Sequence, residues 1–196
     1  MPFVDTESEL FRLLRVLESG DRTTLTGENY GLRNGNALGA YQMGASSLQQ
    51  IGAVRPQGDV NRPADWTGRY GSSAQEFLAS SALQDSACVA YMNVLDDWID
   101  GNFDRYIGTT QNGAEVNRGG LLLCSWENPA QTRLAAMGRP FSRDPRTGLA
   151  DYVTRMHFGA LAGTIPTAPP PPPTTGPGPA PDGGVNWQDP PLPPGV

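Results

Sequence analysis

Apolar positions recur as Leu10, Leu13, Leu14 and Leu17, an i, i+3, i+4, i+7 pattern that predicts an amphipathic helix over residues 8–19. Asp5 or Thr6 is the expected cap at its start, and Gly20 the stop. Glu18 follows Leu14 by four residues and Phe11 by seven, which places it on the edge of the apolar stripe. Partial burial there would raise its pKa, while Arg15, three residues back, is spaced to pair with it.

Periodicity fades over 21–44, where Gly, Asn and Thr dominate and Asn34-Gly35 signals a hairpin turn. A small irregular hairpin or loop is predicted, then a short helix through Ile51 capped by Ser46 or Ser47. Residues 53–72, with Pro56 and Pro63, read as a polar loop. Residues 73–99 read as one or two helices, with Phe77, Leu78, Ala82 and Leu83 on one face and Val89, Met92, Leu95 and Ile99 on another. Asp96, Asp97 and Asp100 read as a solvated helix end, because the Gly-containing spacing of a calcium loop is missing. A turn over 101–113 leads to a helix from Glu115 to Cys124, which Trp126-Glu127-Asn128-Pro129 interrupts. Residues 130–137 resume as a helix that stops at Gly138, Asp144 to Gly148 form a turn, and Leu149 to Leu161 form the last helix. The fold class predicted is mainly α, one domain over 1–163 with a small irregular β/loop region and no internal repeat.

Composition changes this picture at Thr164. Residues 164–196 hold most of the prolines, including Pro169 to Pro173, and read as a polyproline II or disordered tether. Trp187 and Leu192 are its natural anchors for a protein partner. This tail contributes to a hydrophobic share of 38%, below the roughly 45–50% of globular chains. The net charge is −6 and every basic residue apart from His157 is Arg, a balance that argues against non-specific nucleic-acid binding. Cys88 and Cys124 lie in apolar runs and read as buried thiols. A single histidine, His157, without clustered cysteines argues against zinc, so no metal or cofactor is expected. No run approaches the ~18 apolar residues of a membrane span. The first nine residues lack the basic and apolar regions of a signal peptide, so an extracellular target would be reached by another route.

The order Glu18-Ser19-Gly20, then Asn34 to Gly39, then Gly39-Ala40-Tyr41-Gln42-Met43-Gly44 resembles the lysozyme-like peptidoglycan-cleaving superfamily, closest to lytic transglycosylases and phage-associated muramidases. In that group a catalytic Glu ends a core helix, and a Gly-x-x-Gln segment follows across the groove. Asp144 to Tyr152 is similar to the closing helix of phage-borne members, so the likeness covers roughly residues 8–160. The chain departs from the pattern at Ser125-Trp126-Glu127-Asn128-Pro129, where such proteins often carry a turn of small residues with His or Asn.

The resemblance implies a lysozyme-like domain cutting peptidoglycan glycan strands, carried on a phage or phage-derived particle and tethered through its tail. Glu18 is then the general acid that protonates the leaving oxygen. Ser19 is placed to orient Glu18 or to bond its own helix backbone. Tyr41 and Gln42 are the groove candidates, one for its apolar face and hydroxyl, the other for its amide donors and acceptor. Glu127 joins them as a substrate-binding residue and, with Asp21, Glu28 and Asp59, as a candidate second carboxylate. The alternative is an inactive lysozyme-fold component of a virion or secretion device, binding glycan or serving structure. His157 reads as a packing or surface residue.

Overall fold

The computed structural model describes residues 2–137 and 145–163. Gly138, Asp144 and the proline-rich segment with Trp187 and Leu192 lie outside the described residues, as does the expected tether. In chain order the elements are α1 (Glu9–Ser19), β1 (Arg33–Asn34), β2 (Ala37–Leu38), α2 (Ala45–Gln50), α3 (Ala74–Ala79), α4 (Ser81–Ile99), β3 (Thr110–Gln111), β4 (Ala114–Glu115), α5 (Arg118–Glu127), α6 (Pro129–Ala136) and α7 (Pro145–Leu161). Single 3-10 turns sit at Pro63–Asp65 and Asp104–Tyr106. The protein is therefore mainly helical. No described helix is long and apolar enough to cross a membrane.

α1 buries Leu10, Phe11, Leu13, Leu14, Val16 and Leu17, the stripe its spacing predicts. Its N-cap is Ser8, without a side-chain cap bond, in place of Asp5 or Thr6. Asp5 instead accepts from the Glu7 N–H, which fixes the preceding turn. The N-terminal segment is pinned to α4 by Asn93, which accepts from the Phe3 N–H at 2.7 Å and donates to its carbonyl at 3.0 Å.

β1 and β2 pair antiparallel, Arg33 opposite Leu38 and Asn34 opposite Ala37. The two loop residues are thus Gly35 and Asn36, one position later than the Asn-Gly signal suggests. Gly35, at φ +60°, takes the first of them, as type II′ turns prefer. β3 and β4 form a second hairpin that runs from the end of the expected 101–113 turn to Glu115, expected as the start of a helix, with Asn112 and Gly113 both at positive φ. α2 starts from Gly44, and Ser46 and Ser47 lie inside it; Ser47 Oγ donates back to the Gly44 carbonyl rather than capping.

α5 is the central helix. Every residue from Arg118 to Trp126 is buried, and it packs on α4, α6 and most extensively on α7. It starts at Arg118 and not at Glu115, because Asn117 caps it: Oδ1 accepts from the Gly120 N–H at 2.8 Å and Nδ2 donates to the Met156 carbonyl at 2.8 Å. A methyl group on Gly159 would strike the backbone of Gly119 and Gly120, so glycine at that point lets α7 lie directly on α5. α5 runs through Trp126 and Glu127, and the break comes at Asn128. α7 begins at Pro145, taking in residues expected to form a turn; proline suits a first helical turn, where its missing N–H costs nothing. Ala82 is exposed, unlike its predicted neighbours Phe77 and Leu83. Asp96 is buried and paired with Arg118 at 2.7 Å, which corrects its reading as solvated; Asp97 is exposed.

The loop from Gly39 to Met43 is held by one buried amide. Gln84 Oε1 accepts from the Ala40 N–H at 2.9 Å, while Nε2 donates to the carbonyls of Tyr30 at 2.9 Å and Phe77 at 3.0 Å. Gly39 has φ +76°, and a Cβ there would overlap the Gln84 amide. Gly39→Ala is expected to cost roughly 2–4 kcal/mol, combining left-handed strain with overpacking. Urea unfolding measures this, and Gln84→Ala in the same chain should recover the overpacking share; an unchanged midpoint in Gly39→Ala would refute the close fit.

Candidate active site

Glu18 stands in the last turn of α1, with 11% of its side chain exposed. Arg22, just past that helix, caps its end by donating to the Leu17 carbonyl from Nε at 3.1 Å and Nη2 at 2.9 Å. From the far end of the chain α7 brings Arg155, only 1% exposed. Arg155 Nε donates to Asp151 Oδ2 at 2.9 Å, and Nη1 donates to the Leu123 carbonyl at 2.7 Å. Both terminal nitrogens approach Glu18 Oε1 at 3.4 Å, and Nη2 also approaches Glu127 Oε2 at 3.3 Å. Arg22 adds a contact to Asp151 at 3.3 Å.

These lengths rank the interactions. The short bonds of Arg155 go to Asp151 and to the α5 backbone, and the two glutamates receive the long ones. Burial accordingly pushes the Glu18 carboxyl above the ordinary glutamate range; Arg155 pulls it down and the nearby Glu127 charge pushes it up again. The partial negative charge at the C-terminus of α1 acts in the same direction as burial. A carboxyl held in this way retains its proton to higher pH than a solvated one.

Glu127 differs in exposure: 51% of its side chain is open to solvent. It lines a cavity of about 300 Å³ together with Gly44, Ser46 and Ser47 at the start of α2, Tyr91 of α4, and the 126–129 junction of α5 and α6. That volume is at the small end of ligand pockets. Because Glu18 and Glu127 approach one guanidinium nitrogen, their nearest oxygens are no further apart than those two lengths laid end to end. That bound is compatible with the compact carboxyl pair of retaining glycosidases, about 5–5.5 Å apart.

The remaining sequence candidates are placed elsewhere. Tyr41 is fully buried, which corrects its assignment to the groove. Its hydroxyl donates to Asp85 Oδ1 at 2.6 Å and accepts from Arg15 Nη1 at 2.8 Å, and its carbonyl accepts from Trp126 Nε1 at 3.0 Å. Arg15 itself turns to Glu28 and Tyr41, not to Glu18. Ser19 donates to the Arg15 carbonyl at 3.2 Å and accepts from the Asn29 N–H at 3.1 Å, so it ties the following loop to α1 and does not orient Glu18. Gln42 is half-buried at φ +48° and donates to the Gly39 carbonyl at 2.7 Å; it does not line the cavity. Asp21 accepts from the Thr23 and Thr24 N–H groups, and Asp59 bonds Asn61, both in turns of their own. His157 is exposed. Cys88 and Cys124 are buried and free.

Arg155 and Asp151 are the members that the sequence reading missed. Their i, i+4 spacing on α7 is the available signal, but such pairs are usually solvated, and only the packing of α7 on α1 and α5 buries this one.

Two outcomes follow. Arg155→Met removes the buried cation that Asp151, Glu18 and the Leu123 carbonyl share and is expected to lose about 3–5 kcal/mol in denaturant unfolding, where a loss below about 1 kcal/mol would contradict the role. The folded protein holds the Glu18 proton more tightly than the unfolded chain does. The group therefore favours folding below the ordinary glutamate pKa, and that advantage is lost as pH rises through the raised folded value. Relative to Glu18→Gln, the native chain should lose stability across that window with a slope of up to about 1.4 kcal/mol per pH unit; parallel pH curves would speak against a retained proton. No family model, curated protein or solved structure matches this chain.

Proposed function

We propose that this protein cleaves the glycan strands of peptidoglycan, with Glu18 as general acid and Glu127 as the second carboxylate. The supporting observation is the unequal pair on one guanidinium: a nearly enclosed carboxyl with a raised pKa beside a half-exposed carboxylate on a cavity wall. A carboxyl that keeps its proton, set beside a second carboxyl group open to solvent, is what glycosidic cleavage requires. Glu18 delivers its proton to the glycosidic oxygen, and Glu127 supplies negative charge towards the cationic sugar that develops. Asp151 and Arg155 touch no reacting atom in this scheme; they position the pair. Carriage on a phage or phage-derived particle completes the proposal, its support being the proline-rich composition of 164–196.

A second reading, an inactive glycan-binding or structural component, draws on the small exposure of Glu18 and its contact with Arg155. Muropeptide release from purified sacculi separates the two. Glu18→Gln is expected to lower release by about 10²–10⁴-fold while the protein remains folded. Equal release by the native chain and Glu18→Gln, or none by either, favours the second reading.

A further inference from the structure

The cavity beside Glu127 carries more information than the catalytic pair uses. The one formally charged group among its described lining residues is the Glu127 carboxylate, and none of them is basic. The Arg155 guanidinium, which approaches Glu127 at 3.3 Å, is buried, is not among the lining residues and makes its shorter bonds to Asp151 and the Leu123 carbonyl. Two of the cavity's donors are engaged within the fold, the Trp126 indole N–H by the Tyr41 carbonyl at 3.0 Å and the Ser47 hydroxyl by the Gly44 carbonyl at 2.9 Å, while Ser46, Tyr91 and Asn128 add uncharged polar groups to the lining. Tyr91 and Trp126, 4% and 9% exposed and edge-to-face at 5.2 Å, close the floor with apolar surface. The whole chain carries a net charge of −6.

An anionic group entering this cavity would lose hydration and meet like charge. A neutral acetamido group can offer the Glu127 carboxylate only its single amide N–H, a bond that draws on the charge of one partner alone. An ammonium group brings three donors and a positive charge to the same carboxylate, and its bond there is charge-assisted. We infer that this cavity selects an amino sugar whose amine is free, the de-N-acetylated and therefore cationic form, with Glu127 as the residue that recognises it. The inference deepens the glycan-cleaving reading and rests on it for the ligand being an amino-sugar chain. The class of reaction that must supply such a ligand is hydrolysis of the N-acetyl amide.

The test is binding to the full chain, followed by calorimetry or NMR at low salt, of the trimer of glucosamine and the trimer of N-acetylglucosamine. The cationic trimer is expected to bind at least about tenfold more tightly. Glu127→Gln should abolish that difference, Glu127→Asp should keep most of it, and added salt should narrow it. Equal or tighter binding of the acetylated trimer overturns the inference, as does failure of both to bind. A preference that survives Glu127→Gln also overturns it, because the attraction would then belong to the net charge of the chain and not to this cavity. Binding is read without bond cleavage, so the two ideas fail separately. A Glu127-dependent preference without muropeptide release leaves the cavity assigned and removes the enzyme; release without the preference does the reverse.

Discussion

A guanidinium enclosed between three helices governs this structure. Arg155 cannot shed its charge, and taking that charge out of water is costly unless oxygen atoms surround it. α1 provides Glu18, α5 provides Glu127 and the Leu123 carbonyl, and α7 provides Asp151. The demand for counter-charge thus draws the first helix, the central helix and the last helix to one point. It also sets the chemistry of that point, because four partners share one cation unequally. The best-bonded, Asp151, neutralises it most directly. Glu18, most enclosed and only distantly contacted, is left with a proton affinity above that of an ordinary glutamate.

A second network holds the opposite wall. Asp85 accepts from both Tyr41 and Tyr30, at 2.6 Å and 2.9 Å, and Arg15 closes the group from α1. Trp126 reaches across from α5 to the backbone of Tyr41. With the Gln84 amide bonding the Ala40 N–H, the loop before α2 is fixed from three directions. Satisfied polar groups of this kind stiffen their surroundings, since each alternative position would leave a buried donor or acceptor unpaired. The cavity wall formed by Gly44, Ser46 and Ser47 follows directly on that loop and inherits its rigidity.

How much of this was legible follows from distance along the chain. The α1 stripe and the edge position of Glu18 are properties of eleven consecutive residues, and spacing alone conveys them. The first hairpin is legible in Asn34-Gly35; the second carries the same signal in Asn112-Gly113, and with strands of two residues in both, no run of apolar alternation tells either from a plain turn. Tyr41 was assigned to a groove because its hydroxyl suits sugars, yet its partners Asp85 and Arg15 lie on other helices, and no local pattern reveals that they meet. Arg155 was hidden for the same reason: it becomes special only once α1 and α5 cover it. Glu127 was a candidate by its proximity to a helix break, but its kinship with Glu18 depends on that hidden cation.

The contact between Glu18 and Arg155 joins residues 137 positions apart. A ribosome issues the chain from its N-terminus, so the end of α1 must wait for its cation until α7 has been made. The acid and its partner are consequently never assembled on a nascent fragment. Any truncation upstream of the last helix would leave the end of α1 without the cation that Arg155 supplies.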